Sequence, residues 1–196
     1  LTLAAVPALW RGWHEADAIP LNVRLAISAG APLPLALEKA IFNSCGLKIH
    51  NFYGATECGG IAYDVTSTPR TEDVCVGTPM RNVELALHSD GCLQVFSGAV
   101  GKTYWPEPDG AVGNGRFQTS DLAELKDGRV YLRGRLSDQI NVAGRKVAPE
   151  IIERALLNHP AVRECLVFGV PSANPQRGET IVAYVVTSLE VREEAL

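Results

Sequence analysis

The chain has 196 residues, enough for one or two domains, with 46% apolar and 20% charged residues, the balance of a globular protein. Its net charge of −4 argues against a nucleic-acid partner, because phosphate binding leaves a basic footprint. No apolar run reaches the length of a membrane span, and the five cysteines form no C-x-x-C pair. Reduced thiols in a cytoplasmic setting are therefore expected rather than zinc or disulfides.

Residues 3–14 predict a helix with Pro7 in its first turn and Val6, Leu9, Trp10 and Trp13 on one side. Val23 to Ile27 is a short apolar strand of the kind buried in a parallel sheet, ended by Ser28-Ala29-Gly30-Ala31-Pro32. A helix follows from about Pro34 to Cys45, with Leu37, Ala40, Ile41 and Cys45 at helical spacing and Gly46 as its stop. Leu47 to Phe52 is the next strand and leads into Asn51-Phe52-Tyr53-Gly54-Ala55-Thr56-Glu57. Strand, glycine turn, helix, strand and polar loop make a βαβ unit, and ligands collect at the carboxyl ends of such strands. Both polar loops, Gly30 to Pro32 and Tyr53 to Glu57, fall at that edge.

From Val74 the pattern alternates. Val83 to Leu87 and Leu93 to Phe96 flank Asp90-Gly91, and Leu122 to Leu125 and Val130 to Leu132 flank Asp127-Gly128, two hairpin signals. Asp121 stands just before the second pair, where a lone aspartate is ordinarily a turn residue. Ile140 to Val142 and Arg145 to Val147 surround Ala143-Gly144, Pro149 opens a helix through Asn158, and two strands follow at Glu164 to Val170 and Thr180 to Thr187. Residues 189–196 read as the start of a further helix.

The residue types around Tyr53 suit a nucleotide. A ring stacks on a base, an amide reads its edge, a hydroxyl reaches a phosphate oxygen, a carboxylate holds Mg²⁺, and glycine lets backbone approach closely. Taken alone, the same seven residues could form an ordinary strand-to-loop turn.

Four motifs in order change that balance: Gly30-Ala31-Pro32; Tyr53-Gly54-Ala55-Thr56-Glu57; Thr119-Ser120-Asp121-Leu122; and Gly134-Arg135 through Asp138-Gln139-Ile140, Gly144-Arg145-Lys146-Val147 and Pro149 to Ile152-Glu153. Together they resemble the adenylate-forming (AMP-binding) superfamily, which includes acyl-CoA synthetases, adenylation domains of peptide synthetases and luciferases. The resemblance implies an α/β fold with a β-rich subdomain, followed by part of a small α+β lid domain. Residues 1–135 would be the C-terminal part of the large domain, with the βαβ unit to about 65 and the β-rich part from about 74. Residues 136–196 would be a partial lid. It further implies an ATP-dependent carboxylate–CoA ligase that forms acyl-AMP and then a thioester. The alternatives are a truncated AMP- or acyl-AMP-binding module, or an adenylation domain serving a carrier-protein thiol.

By that resemblance Gly30, Ala31 and Pro32 line the adenine, Asn51 reads its amino group, Tyr53 stacks on it and Gly54 allows close approach. Thr56 meets the α-phosphate, Glu57 holds Mg²⁺, Asp121 accepts both ribose hydroxyls and Arg135 assists there. Ser137 marks the hinge position, where many members carry Asp or Lys, and Ser120 replaces the usual glycine. Gly144 lies along the path of the coenzyme A arm, and Lys146 meets phosphate or CoA or is a solvated charge. Cys58, Gly59, Gly60, Ile61 and Ala62, with Ser28 and Ala29, are expected to wall a fatty or aromatic carboxylic acid, since no Asp or Lys stands among them. The family's early phosphate loop and its C-terminal catalytic lysine are not found in this sequence, so the isolated chain is expected to be inactive. Self-association through truncated sheet edges is also expected.

Overall fold

The computed structural model describes residues 1–159, 161–174 and 178–188. Two compact units are present: Leu1–Thr119 with Ala123–Leu132, and Ser120–Leu122 with the residues from Arg133 onward.

The first unit begins with two successive parallel crossovers. Strand β1 (Thr2–Ala5) pairs with β2 (Leu25–Ser28), and β2 pairs with β3 (Ile49–Ala55); helices α1 (Pro7–Glu15) and α2 (Leu35–Cys45) make the connections. The strand at residues 2–5 replaces the expected start of the first helix. Proline disfavours helical backbone in the residue before it, so Val6 is extended (φ −77, ψ 157) and the helix starts at Pro7. Helix α2 matches the sequence reading to within a residue. Gly46 closes it in the left-handed region at φ 68, its N–H bonded to the Phe42 carbonyl.

Against this sheet α1 and α2 bury Trp10, Ala26, Leu33, Leu37, Ile41 and Ile49. Trp10 is fully buried, meets Trp13 edge-on with centroids 5.2 Å apart, and donates its indole N–H to the Ile27 carbonyl at 3.1 Å.

The sheet then continues antiparallel. Strands β4 (Gly59–Tyr63), β5 (Cys75–Pro79), β6 (Val83–Leu87), β7 (Cys92–Ser97), β8 (Val112–Gly113), β9 (Arg116–Lys126) and β10 (Arg129–Arg135) extend it in the order β1-β2-β3-β4-β5-β10-β9-β7-β6, with β8 on β9. The β-rich part is thus hydrogen-bonded onto the βαβ part through β3, β4 and β5. Both Asp-Gly hairpins form. Asp127 and Gly128 take φ of 51 and 71, the double positive values that match strand twist. A second core of Cys58, Ile61, Ala62, Val76, Leu93, Val95, Val112, Phe117 and Val130 lies in this part.

In the second unit β11 (Ile140–Val142) and β12 (Arg145–Val147) form a hairpin, and α3 (Pro149–Leu157) packs on β13 (Val162–Pro171), which pairs antiparallel with β14 (Glu179–Thr187). Glu153 on α3 accepts the Val167 N–H at 2.9 Å, pinning helix to strand. The helix expected at residues 189–196 lies outside the described residues.

Candidate functional site

On the helix-facing side of the parallel strands the residue types change along the strand direction. Alternation puts Ala26 and Ser28 on one face of β2, and Ile49 and Asn51 on one face of β3. Ala26 and Ile49 belong to the helix-covered core; Ser28, the last residue of β2, faces its cross-strand partner Asn51 where the parallel pairing of β2 with β3 ends, and β3 itself runs on to Ala55. Both are buried, and Ser28 Oγ has no hydrogen-bond partner among the described residues. A buried orphan hydroxyl beside a buried amide puts a polar pair at the carboxyl end of β2, the end at which open α/β sheets take ligands.

The expected loop at Tyr53 is strand as far as Ala55. The turn is confined to residues 56–58, and β4 returns antiparallel from Gly59. Tyr53 is half-buried against the second core, and Thr56 is exposed at the turn. Gly54 has a reason within the chain: a Cβ there would lie 2.5 Å from the Gly59 carbonyl oxygen, so the hairpin itself requires glycine. Of the residues expected to wall an acyl group, Cys58, Ile61 and Ala62 are core residues. The space beside Gly60 is filled by Met80 Sδ and the Phe52 ring, while nothing lies within 4 Å of a Cβ built on Gly59.

Glu57 is held twice. Its backbone carbonyl accepts the Gly101 N–H at 2.8 Å, and its Oε1 accepts the Tyr104 hydroxyl at 2.7 Å. That hydrogen bond to the carboxylate, with some burial, pushes the Tyr104 phenol up to about 12, so it stays a protonated donor at neutral pH. No cluster of three or more His, Cys, Asp or Glu that could hold a metal exists among the described residues. A single carboxylate still fits Mg²⁺, which is commonly held by one or two carboxylates with substrate phosphates and water.

Behind the loops lies a buried ionic network. Glu38 on α2 is fully buried; it accepts Arg70 Nε at 2.8 Å and the Arg70 N–H at 3.1 Å, and it pairs with Lys48. Lys48 also bonds Asp64. Arg70 donates onward to the carbonyls of Leu33 at 2.7 Å, Asp73 at 3.1 Å and Cys75 at 2.8 Å. Asp73 accepts the Leu35 N–H at 2.9 Å, which caps α2 from 38 residues away, while Pro34 at the cap position has no side-chain donor or acceptor. The Asp64 N–H meets the Asn51 carbonyl at 2.9 Å. The network therefore fastens both the segment after Pro32 and the strand that carries Asn51.

In the second unit Asp121 and Arg135 come together, with Arg135 Nε donating to Asp121 Oδ1 at 3.0 Å. Asp121 lies inside β9, and the Leu136 N–H bonds the Ser120 carbonyl at 2.8 Å. Gly134 has φ 120, and a Cβ there would come within 2.8 Å of Ala148 Cβ and Glu150 Oε2, so the Gly134-Arg135 pair is fixed by packing. Ser137 Oγ donates to Asp138 at 2.7 Å. Gly144 follows Ala143 in an exposed hairpin turn with φ of 81 and 51, and its N–H meets Asn141 Oδ1. This turn gives Gly144 a local reason beside any ligand path. Lys146 is exposed on β12.

A family model described as AMP-binding enzyme matches residues 2–106, and one described as AMP-binding enzyme C-terminal domain matches residues 151–196. The chain belongs to the AMP-binding enzymes. It is 31% identical over 211 residues to the long-chain-fatty-acid–CoA ligase FadD13 of Mycobacterium tuberculosis, across 98% of this chain and 41% of that protein. Triostin synthetase I of Streptomyces triostinicus is likewise 31% identical, across 97% of this chain and 39% of the relative. Among solved structures, ATP-bound MatB from Rhodopseudomonas palustris is similar with a TM-score of 0.85 at 26% identity, covering 99% of this chain and 42% of that one. The chain thus spans about two fifths of the length of the relatives it matches.

Within this AMP-binding enzyme, Tyr104 and the Glu38–Lys48–Asp64–Arg70–Asp73 network are the residues that motif reading missed. Their one signal in the sequence is Glu38, a charge beside the apolar stripe of α2. Its partners come from loops without periodicity. Burial pushes the Asp64 carboxyl up, but the Lys48 and Thr66 hydrogen bonds and the Lys48 charge outweigh it, so the group sits below its ordinary value. A depressed carboxyl contributes stability above its unfolded value, about pH 4, and loses it as pH falls through the folded value. Urea midpoints measured from pH 7 to pH 3 should accordingly fall below about pH 4. Asp64→Asn should be less stable at pH 7 and show a shallower acid drop; an unchanged slope would discount the group.

Proposed function

We propose that the chain is the adenosine-holding part of an ATP-dependent carboxylate–CoA ligase that makes an acyl-AMP and then an acyl thioester. The observation that carries this reading is the buried polar pair Ser28 and Asn51, which interrupts the apolar helix-facing side of the sheet at the carboxyl end of β2, just before the Gly30–Pro32 turn. Gly30, Ala31 and Pro32 would line the adenine, Asn51 would read its amino group, Tyr53 would stack on the base and Gly54 would keep the turn tight. Thr56 would bond the α-phosphate. Asp121 offers two acceptor oxygens to the vicinal ribose hydroxyls, with Arg135 already bonded to one of them. Glu57 would hold Mg²⁺, which screens the like charges of a carboxylate approaching a triphosphate. Ser137 would lie at the hinge between half-reactions, and Gly144 and Lys146 would face the thiol carrier in the second.

The identity with a long-chain-fatty-acid–CoA ligase supports coenzyme A and a fatty acid as substrates. The equal identity with triostin synthetase I supports a second reading, an adenylation domain that loads a carrier-protein thiol.

Calorimetric titration with AMP tests the adenosine site. The chain should bind AMP, and Asp121→Ala should weaken binding by about tenfold or more, the loss of hydrogen bonds to a charged group. Unchanged affinity in the variant would overturn the ribose role, and no AMP binding by the chain would overturn the site.

A further inference from the structure

The loop between β7 and β9 grips Glu57 in a way that no motif anticipates. Two separate contacts are made. The backbone contact, Gly101 N–H to the Glu57 carbonyl at 2.8 Å, holds the loop to the turn. The side-chain contact, Tyr104 hydroxyl to Glu57 Oε1 at 2.7 Å, holds the carboxylate. The Tyr104 ring is also packed against the second core with Val100, so the loop's attachment does not depend on the phenol oxygen. The hydroxyl acts instead on the carboxylate's orientation. A glutamate side chain has three rotatable bonds, and one left loose at an exposed turn samples many rotamers. Here Oε1 is taken, and Oε2 has no protein partner among the described residues.

We propose that Tyr104 is a positioning residue for the cation that accompanies ATP: it fixes the Glu57 carboxylate so that Oε2 is presented in advance to the metal. This rests on the adenylate reading of Glu57. Because the phenol donates and the carboxylate accepts, Tyr104 is no metal ligand, and its effect is confined to metal-dependent binding. Preorganising a ligand group lowers the ordering cost at the moment of binding.

The test is calorimetric titration of the chain with ATP in excess magnesium, ATP in EDTA, and AMP in EDTA, for the parent, Tyr104→Phe, Glu57→Gln and the double variant. Phenylalanine keeps the ring in the core, and thermal melts check that each variant is folded. Magnesium should strengthen ATP binding by the parent. Tyr104→Phe should lose about tenfold of that gain, the scale of a hydrogen bond to a charged group, with AMP binding unchanged. Glu57→Gln should lose the gain, and the double variant should be no weaker than Glu57→Gln. An undiminished magnesium effect in Tyr104→Phe would overturn the proposal, as would an equal loss of AMP binding. AMP binding without any magnesium effect in the parent would overturn this inference alone, and absence of both would overturn the adenylate reading with it.

Discussion

Glu38→Ala is expected to destabilise the first unit by about 3–5 kcal/mol, the cost of removing one partner from a buried ion pair. The glutamate is fully buried on α2, and Arg70 and Lys48, both nearly buried, converge on it. Truncation leaves the Arg70 guanidinium facing a cavity, with its backbone N–H also stripped of its acceptor. Lys48 keeps Asp64, so the damage centres on Arg70. Because Arg70 also bonds the Leu33, Asp73 and Cys75 carbonyls, its displacement loosens the entry to α2 and the segment after Pro32. Urea unfolding followed by far-UV circular dichroism measures the loss, which corresponds to a fall of roughly 10 °C or more in Tm. Glu38→Leu combined with Arg70→Met removes both charges and should recover part of the loss, since apolar replacement of a whole buried pair is often near neutral. A loss below about 1 kcal/mol for Glu38→Ala would mean that water already reaches the pair.

The two kinds of feature differ in how far the sequence exposes them. Helix α2 was legible because its apolar spacing and its terminal glycine are both local, and the Asp-Gly hairpins because turn chemistry is local too. The four motifs led to the family because their order spans nearly the whole chain. Strand β1 was missed because four residues are too few for a period to show, and they run straight into Val6-Pro7. Asp121 was read at a strand start because Arg116 to Ser120 mixes polar and apolar residues, yet β9 begins at Arg116. The ionic network was invisible for a deeper reason. The bonded pairs Glu38–Lys48, Lys48–Asp64 and Glu38–Arg70 are 10, 16 and 32 residues apart, and only the fold determines that they meet. Tyr104 belongs to the same class, 47 residues from Glu57 within a loop rich in proline and glycine. Glycines gave mixed signals. Gly54 and Gly144 were read as making room for ligands, while the structure shows each already required or favoured by its own hairpin.

Gly77→Ala should be the most damaging glycine substitution in the first unit, costing more than about 4 kcal/mol and leaving little folded protein. Two independent penalties combine there. Its φ of 98 lies where an L side chain is strained, and a Cβ would sit 1.9 Å from the Tyr63 carbonyl oxygen and 2.5 Å from the Asp64 nitrogen. Both obstacles are backbone, so no rotamer change relieves them. The neighbouring ladder, Tyr63 opposite Thr78 and Ala62 opposite Pro79, would have to separate. That pairing joins the parallel part of the sheet to its antiparallel continuation, and it holds Asp64 where Lys48 and the Asn51 carbonyl meet it. Gly128→Ala is the matched control. Its φ of 71 is also positive, but nothing lies within 4 Å of the added Cβ, so only the backbone strain of about 1–2 kcal/mol is expected. Circular dichroism melts of the two variants separate the terms. A Gly77→Ala protein that melts within a few degrees of Gly128→Ala would mean that β4 and β5 can part without cost, and that the sheet's continuity is not what holds the Asn51 strand in place.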